Sequence, residues 1–165
     1  MDKSALFKIS YGLYVLGVNT DNGFGGCIID AFMQVTANPT VAVLASIQKN
    51  YSNESIKKYK EFTVSVLSKD VDPFVVSNFG FQSGRAVKKW ANVPHTVVEG
   101  LPVLSDCAAH YRLKITHFEE LSTHTLFFCD IIDSVMGEGE PLTYAYYQAE
   151  MKNLAMDAFK KFKGM

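Results

Sequence analysis

The stretch HTLFFCDIIDSV, residues 124–135, is apolar at odd and even positions alike, and a strand of that kind has to be covered on both faces. It asks for a sheet with strands on either side of it. The rest of the chain supplies them. EFTVSVLS alternates, with Phe62, Val64 and Val66 on one face, and HYRLKITHF turns Tyr111, Leu113 and Ile115 inward with Arg112, Lys114 and Thr116 outward. LYVLGVNT runs into NTDNGFGG, a cluster of turn residues carrying the Asn22-Gly23 hairpin signal, so Leu13–Val18 is expected to return as Cys27–Val35. TVAVLASIQ follows the Asn38-Pro39 break as a further strand. Five or six largely antiparallel strands in so short a chain favour a small barrel with helices around it.

Helical spacing interrupts this pattern three times. SNESIKKYK offers Ser52 as N-cap, with Tyr51 and Ile56 placed for a hydrophobic staple. DPFVVSNF puts Pro73 at a first helical position. TYAYYQAEMKNLAMDAFKKFK, about 143–163, sets Tyr147, Met151, Leu154, Ala158 and Phe162 opposite Lys152, Asp157, Lys160 and Lys161, an amphipathic helix that packs on the body or on a second subunit. No repeat, linker or low-complexity tract divides the 165 residues, so one domain is expected over 1–165.

Charge and composition exclude several functions. A net charge of -1 does not suit a surface that tracks nucleic-acid phosphates. No apolar run reaches the roughly 18 residues of a membrane span. The N-terminus MDKSALFKIS has no secretory h-region, and a cytoplasmic location is expected. Cys27, Cys107 and Cys129 are far apart and odd in number; they read as buried thiols rather than a disulfide framework or a metal site.

Four stretches can carry chemistry. In ASIQKNYSNES a strand runs into a helix start through Ser46, Lys49, Asn50 and Ser52, where free N–H groups, the positive end of a helix dipole and a lysine suit a phosphate; a capped helix beside a solvated lysine accounts for the same residues. FGFQSGRAVKKW repeats that logic with Ser83, Gly84 and Arg85, followed by Lys88 and Lys89, while Phe79 and Phe81 could cover an apolar moiety; its plain alternative is a loop entering a basic helix. In GCIIDAFMQVTANP, Gln34 and Thr36 share one strand face and Met33 and Val35 the other, so a planar heterocycle could rest on apolar side chains with polar groups at its edge, or the segment is a solvated edge strand. His124 stands at the mouth of the central strand, where it could orient a substrate or donate a proton, or is simply a surface or core histidine. HExxH, a nucleophile elbow, a complete P-loop and GxGxxG are all absent.

Taken in order, SYGLYVLGV, GCIIDAFMQVTANP, QKNYSNESIKKYKEFTVSVLS, FGFQSGRAVKKW, LPVLSDCAAHYRLKI and STHTLFFCDIIDSVMGEGEPLTYAYYQ resemble the flavin reductase-like, FMN-binding split-barrel family over about Ser10 to Gln148, in particular the flavin domains of high-molecular-weight rubredoxins and the flavoredoxins. The resemblance implies a mainly β fold with peripheral helices: a six-stranded antiparallel split β-barrel, homodimeric, holding FMN near the subunit interface. It implies that Met33, Gln34, Val35 and Thr36 run along the isoalloxazine ring, that Ser46, Lys49, Asn50, Tyr51 and Ser52 approach the ribityl phosphate, and that Ser83, Gly84 and Arg85 cap that phosphate. His124 matches the histidine of a GDH motif at the electron-donor site, with Ser122 and Thr123 standing where the family has Gly and Asp. The function implied is an oxidoreductase passing electrons from a reduced donor such as NAD(P)H through FMN to a flavin, a rubredoxin or a similar acceptor. A non-catalytic FMN-binding electron carrier is the alternative. Paired CxxC motifs are absent, so a rubredoxin partner would be a separate protein.

Overall fold

A computed structural model describes residues 1–165. Its elements in chain order are β1 (Tyr14–Thr20), β2 (Gly23–Ile29), β3 (Phe32–Ala37), β4 (Thr40–Ile47), α1 (Tyr51–Tyr59), β5 (Glu61–Val66), α2 (Pro73–Gly80), β6 (His95–Val98), β7 (Leu101–Leu104), β8 (Ala109–Glu120), β9 (His124–Met136), α3 (Tyr144–Tyr146) and α4 (Lys152–Lys163), with short 3-10 turns at Lys3–Lys8 and Lys89–Asn92.

Seven strands form one antiparallel sheet in the order β2-β1-β5-β8-β9-β4-β3. β2 and β3 are its two edges, yet only Asp30 and Ala31 separate them in the chain. In a flat sheet of seven strands these edges would lie about 29 Å apart at about 4.8 Å per spacing, whereas three Cα–Cα steps reach about 11 Å. The sheet therefore curls until its edges approach, giving a barrel that is split where β2 and β3 do not pair. The barrel has seven strands rather than the expected six because the return strand expected over Cys27–Val35 is broken at Asp30-Ala31 into two. The tight turn between β1 and β2 is Asp21-Asn22, one residue earlier than the hairpin signal indicates; Gly23 follows with φ of 105°, where a side chain would be strained.

Two cores result. Inside the barrel lie Leu16, Val18, Cys27, Ile29, Leu44, Phe62, Val64, Leu113 and Phe127, with Ile56 of α1 stoppering one end. Outside, Leu13, Val15, Val75, Val76, Phe79, Trp90, Val103, Leu142 and Met151 pack between the sheet, α2, the β6–β7 hairpin and the C-terminal helix. Alternation sends Leu16 and Val18 of β1 to the first core and Val15 to the second, so this strand is covered on both faces. The hairpin also explains why Thr63 and Ser65 of β5 are fully buried. Thr63 Oγ1 donates to the Pro102 carbonyl at 2.5 Å, and Ser65 Oγ accepts from Leu104 N at 3.2 Å.

Pro73 occupies the first turn of α2, capped by the Asp72 side chain accepting from Phe74 N. Three other helix expectations need correction. Asn50, in extended conformation, precedes α1 as its N-cap, and Ser52 is already inside the helix and buried. Tyr51 and Ile56 form no staple, since Ile56 points into the barrel and Tyr51 lies under the Arg85 guanidinium at 4.7 Å. In the C-terminal helix the buried stripe is Tyr147, Met151 and Ala155, while Leu154 is turned out to solvent. A π-helical turn over Tyr147–Met151 is the cause: its wider i→i+5 winding shifts the phase of every residue beyond it.

Candidate functional site

A cleft of about 470 Å³ opens where the end of β4, the start of α1, the middle of β2 and the segment after α2 converge. Ile28, Ile47, Phe79 and Phe81 make its apolar walls, and Lys49, Asn50, Tyr51, Ser52, Gln82, Ser83, Gly84 and Lys89 its polar ones. No acidic residue lines it, although two lysines do. An anion would therefore meet positive charge without competition.

Each part of this arrangement has a local cause. α1 begins at the cleft because Asn53, buried completely, ties its first turn to the sheet: Asn53 Nδ2 donates to the Ser46 carbonyl at 3.2 Å, and Asn53 Oδ1 accepts from Thr125 Oγ1 at 3.4 Å. No side chain caps that helix end, so first-turn N–H groups, with the positive end of the helix dipole, are left for a ligand. Opposite them, α2 stops at Gly80, and Ser83 starts a turn in which its hydroxyl accepts from Arg85 N at 3.2 Å. Close approach requires Gly26 at the floor: a Cβ there would lie 2.3 Å from the Leu16 carbonyl oxygen and 3.0 Å from Trp90 Nε1.

Lys89, which the sequence offers only as a neighbour of Arg85 together with Lys88, lines the cleft itself. It is 4% exposed, its Nζ donates to the Phe79 carbonyl at 2.8 Å, and it takes part in no ion pair. Burial pushes its ammonium below the ordinary lysine range. A charge removed from water without an opposite charge is costly, so its presence in the cleft wall points to an anion that completes it. The signal available in the sequence was the pair Lys88-Lys89 before Trp90, which does not say which lysine turns inward. Trp90 decides it: its Nε1 donates to the Gly25 carbonyl at 2.8 Å and its ring packs on Phe79, swinging Lys89 toward β2. Gln82 adds a second incomplete group, a buried Oε1 that accepts from nothing in the chain.

The residues singled out in the sequence divide into those at the cleft and those away from it. Lys49, Asn50, Tyr51, Ser52, Ser83 and Gly84 line it together. Ser46 is buried behind it and acts through the carbonyl that holds Asn53. Arg85 lies just outside, stacked on Tyr51 and paired with Glu54. His124 is opposite Ile47 in the β4–β9 register, hence at the cleft's rim, and its Nδ1 is 2.8 Å from Thr123 Oγ1. Met33, Gln34, Val35 and Thr36 are not in the cleft of a single chain. They lie on the exposed edge strand β3, four positions back along β4 from Ile47, since Met33 pairs with Val43. A bulge between Gln34 and Thr36 also breaks the simple alternation expected there, with Gln34 Nε2 donating to the Thr36 carbonyl and Thr36 Oγ1 to that of Pro39. Cys27, Cys107 and Cys129 are buried free thiols, and burial pushes Cys129 up to about 12.

Residues 6–155 match the flavin reductase like domain. The chain is 33% identical over 150 residues to a high molecular weight rubredoxin of Moorella thermoacetica, covering 89% of this chain and 66% of that protein, slightly under two thirds of its length. It is 30% identical over 155 residues to a ferric-chelate reductase (NAD(P)H) of Archaeoglobus fulgidus, covering 92% of each. Among solved structures, the flavin reductase PheA2 in its native state superposes with a TM-score of 0.74 at 27% identity, covering 87% of this chain and 93% of the other. The split barrel, the match over nearly the whole chain and the similarity to these reductases together place the protein in the flavin reductase-like domain family.

Proposed function

We propose that the protein is an FMN-dependent oxidoreductase that passes electrons from a reduced donor such as NAD(P)H through bound FMN to a flavin, a rubredoxin or a similar acceptor. The observation that carries this reading is the acid-free cleft holding an unpaired buried lysine beside an uncapped helix N-terminus, a donor set suited to a dianionic phosphate. The family and its named reductases support the redox half.

FMN supplies the two-electron chemistry when bound. The chain's part is to hold and screen it. Lys89, the N–H groups at Tyr51 and Ser52, and the Ser83-Gly84 turn would hold the phosphate, and the unpartnered Gln82 Oε1 would be available to accept from the flavin's hydroxylated chain. Ile28, Ile47 and Phe79 exclude water from the ring's approach. His124, with Nδ1 engaged by Thr123, presents Nε2 at the rim where a donor enters. Met33 to Thr36 meet the ring edge only when a second copy of the chain covers β3, so the reading includes a homodimer. The rubredoxin-like acceptor rests on the relative whose length this chain only partly spans.

The test is an anaerobic absorbance spectrum of protein reconstituted with FMN, before and after addition of NADH. Rapid bleaching of the flavin band is expected. A flavin band that NADH leaves intact would make the protein a carrier served by another donor, and failure to retain FMN would remove the cleft from this account.

A further inference from the structure

Gln48 stands between Ile47 and Lys49, both of which line the cleft, yet Gln48 itself does not. Its side chain reaches instead to the turn that joins β8 to β9. Nε2 lies 2.7 Å from Glu120 Oε2 and 2.8 Å from the Leu121 carbonyl oxygen, with the His124 carbonyl oxygen at 3.3 Å. A carboxamide nitrogen has two protons to give. The two shorter contacts take them, since the His124 carbonyl already accepts from Leu121 N at 2.8 Å. The backbone N–H of Gln48 adds a further bond, to the Thr123 carbonyl at 3.1 Å.

The turn needs this fastening. The β8–β9 ladder ends with Glu120 opposite Thr125, so Leu121, Ser122 and Thr123 lie past its last pair and are exposed. His124 is paired on one side only, to Ile47 of β4. Segments of this kind move unless something ties them. Glu120 is the second half of the tie: Lys57 of α1 pairs with its Oε1, and Thr125 Oγ1 donates to its Oε2 at 2.9 Å. The Lys57 ammonium, helped by Thr125 and Gln48, holds the Glu120 carboxyl below the usual carboxylate range, so it is an anion at neutral pH. A neutral amide suits the place between that carboxylate and a carbonyl because it donates to both. A carboxylate in its position would be repelled by both.

We propose that Gln48 is a positioning residue for His124: its carboxamide fastens the β8–β9 turn to the strand end that carries the phosphate cradle, and so keeps the imidazole at one place on the cleft's rim. The inference rests on the reading of His124 as the donor-site residue. Gln48 acts through the turn and takes no part in the chemistry itself. The titratable groups around it are Glu120, Lys57 and His124.

The test is anaerobic rapid mixing of FMN-loaded protein with NADH from about pH 5.5 to about pH 8, on the wild type, Gln48→Ala and Gln48→Glu, each also titrated with FMN. At the upper end of that range the second-order rate constant for reduction should fall about three- to ten-fold in both variants, the worth of one or two hydrogen bonds, with FMN affinity held within about two-fold. The variants should then part. Each rate is taken as a ratio to wild type at the same pH, which cancels the titration of His124 itself. For Gln48→Glu the ratio should recover toward acid pH: Lys57 keeps Glu120 charged, so the introduced carboxyl takes the proton and donates again. For Gln48→Ala the ratio should stay flat, and a merely loosened fold would give no acid recovery in either variant. Wild-type rates in both variants, or a Gln48→Glu ratio that does not change with pH, overturn the role of Gln48 and leave His124 as the donor-site residue. An equal fall in FMN affinity and in rate would place Gln48 in the flavin cradle instead. If NADH leaves the wild-type flavin oxidised, the donor reading of His124 falls and the role of Gln48 falls with it.

Discussion

Lys89 concentrates the argument at the scale of a single residue. Its neighbour Lys88 has the same charge and stays in water; Lys89 is drawn inside by the anchoring of Trp90 and is left with one carbonyl contact. Replacing it by methionine keeps most of the volume and removes the charge. Lys89→Met should weaken FMN on the order of 1.5–3 kcal/mol, the usual worth of a charge-assisted bond, while the thermal midpoint of the FMN-free protein stays level or rises because a desolvated charge has gone. Unchanged FMN affinity in the titration would take Lys89 out of the site. A pH dependence comes with it. Burial lowers the Lys89 pKa from 10.5, so between the folded-state pKa and 10.5 the unfolded chain holds the proton more firmly than the folded one. Stability of the FMN-free protein therefore rises with pH across that window, whereas FMN affinity falls there as the ammonium is lost. Lys89→Met should flatten both trends.

Among the elements, α1 positions the chemistry, and Asn53 positions α1. Its carboxamide bridges β4 and β9 through the Ser46 carbonyl and the Thr125 hydroxyl. Asn53→Ala removes both of these bonds, leaving the Thr125 hydroxyl with Glu120 alone, and should cost about 1–3 kcal/mol in denaturant unfolding, with FMN affinity falling as the helix end loosens; equal stability would show that packing alone seats the helix. This bridge also marks how far the sequence could be read. Most strands of the large sheet and Pro73 at the start of α2 were legible, because periodicity and turn chemistry are local, whereas the β6–β7 hairpin was not expected; the two stretches singled out at 49–52 and 83–84 do line one cleft. The division of the return strand at Asp30-Ala31 was not legible, since GCIIDAFMQVTA stays strand-like across the bend. Nor was the inward turn of Lys89 or the burial of Asn53, both set by residues distant in sequence. Leu154 was assigned to the wrong face because a π-helical turn leaves no periodic trace in its own five residues.

Among the large apolar side chains that the molecule's own packing leaves exposed, several lie along one end of the sheet. Met33 is 62% exposed and Val35 41% on the edge strand β3, and Ile132, Val135 and Met136, at 41%, 44% and 85%, lie on the part of β9 that runs past the end of β4. Scattered apolar residues on a surface need no cause, whereas a contiguous set along an unpaired edge and its neighbouring ribbon is how an interface looks. A second copy related by a two-fold axis would cover the same patch on both chains. It would also bring Met33 to Thr36 beside a bound ring, which the cleft of one chain does not do. Light scattering at micromolar concentration should then give twice the chain mass. Ile132→Glu combined with Val135→Glu should give a monomer with an intact β-rich circular dichroism spectrum, because neither side chain contributes to either core. That monomer should keep the phosphate cradle and lose the ring contacts, so its FMN affinity should fall while the Lys89→Met effect persists within it. A wild-type monomer, or a double variant that dissociates with FMN affinity unchanged, would confine the flavin to the cleft of one chain and leave Met33 to Thr36 without a part in binding it.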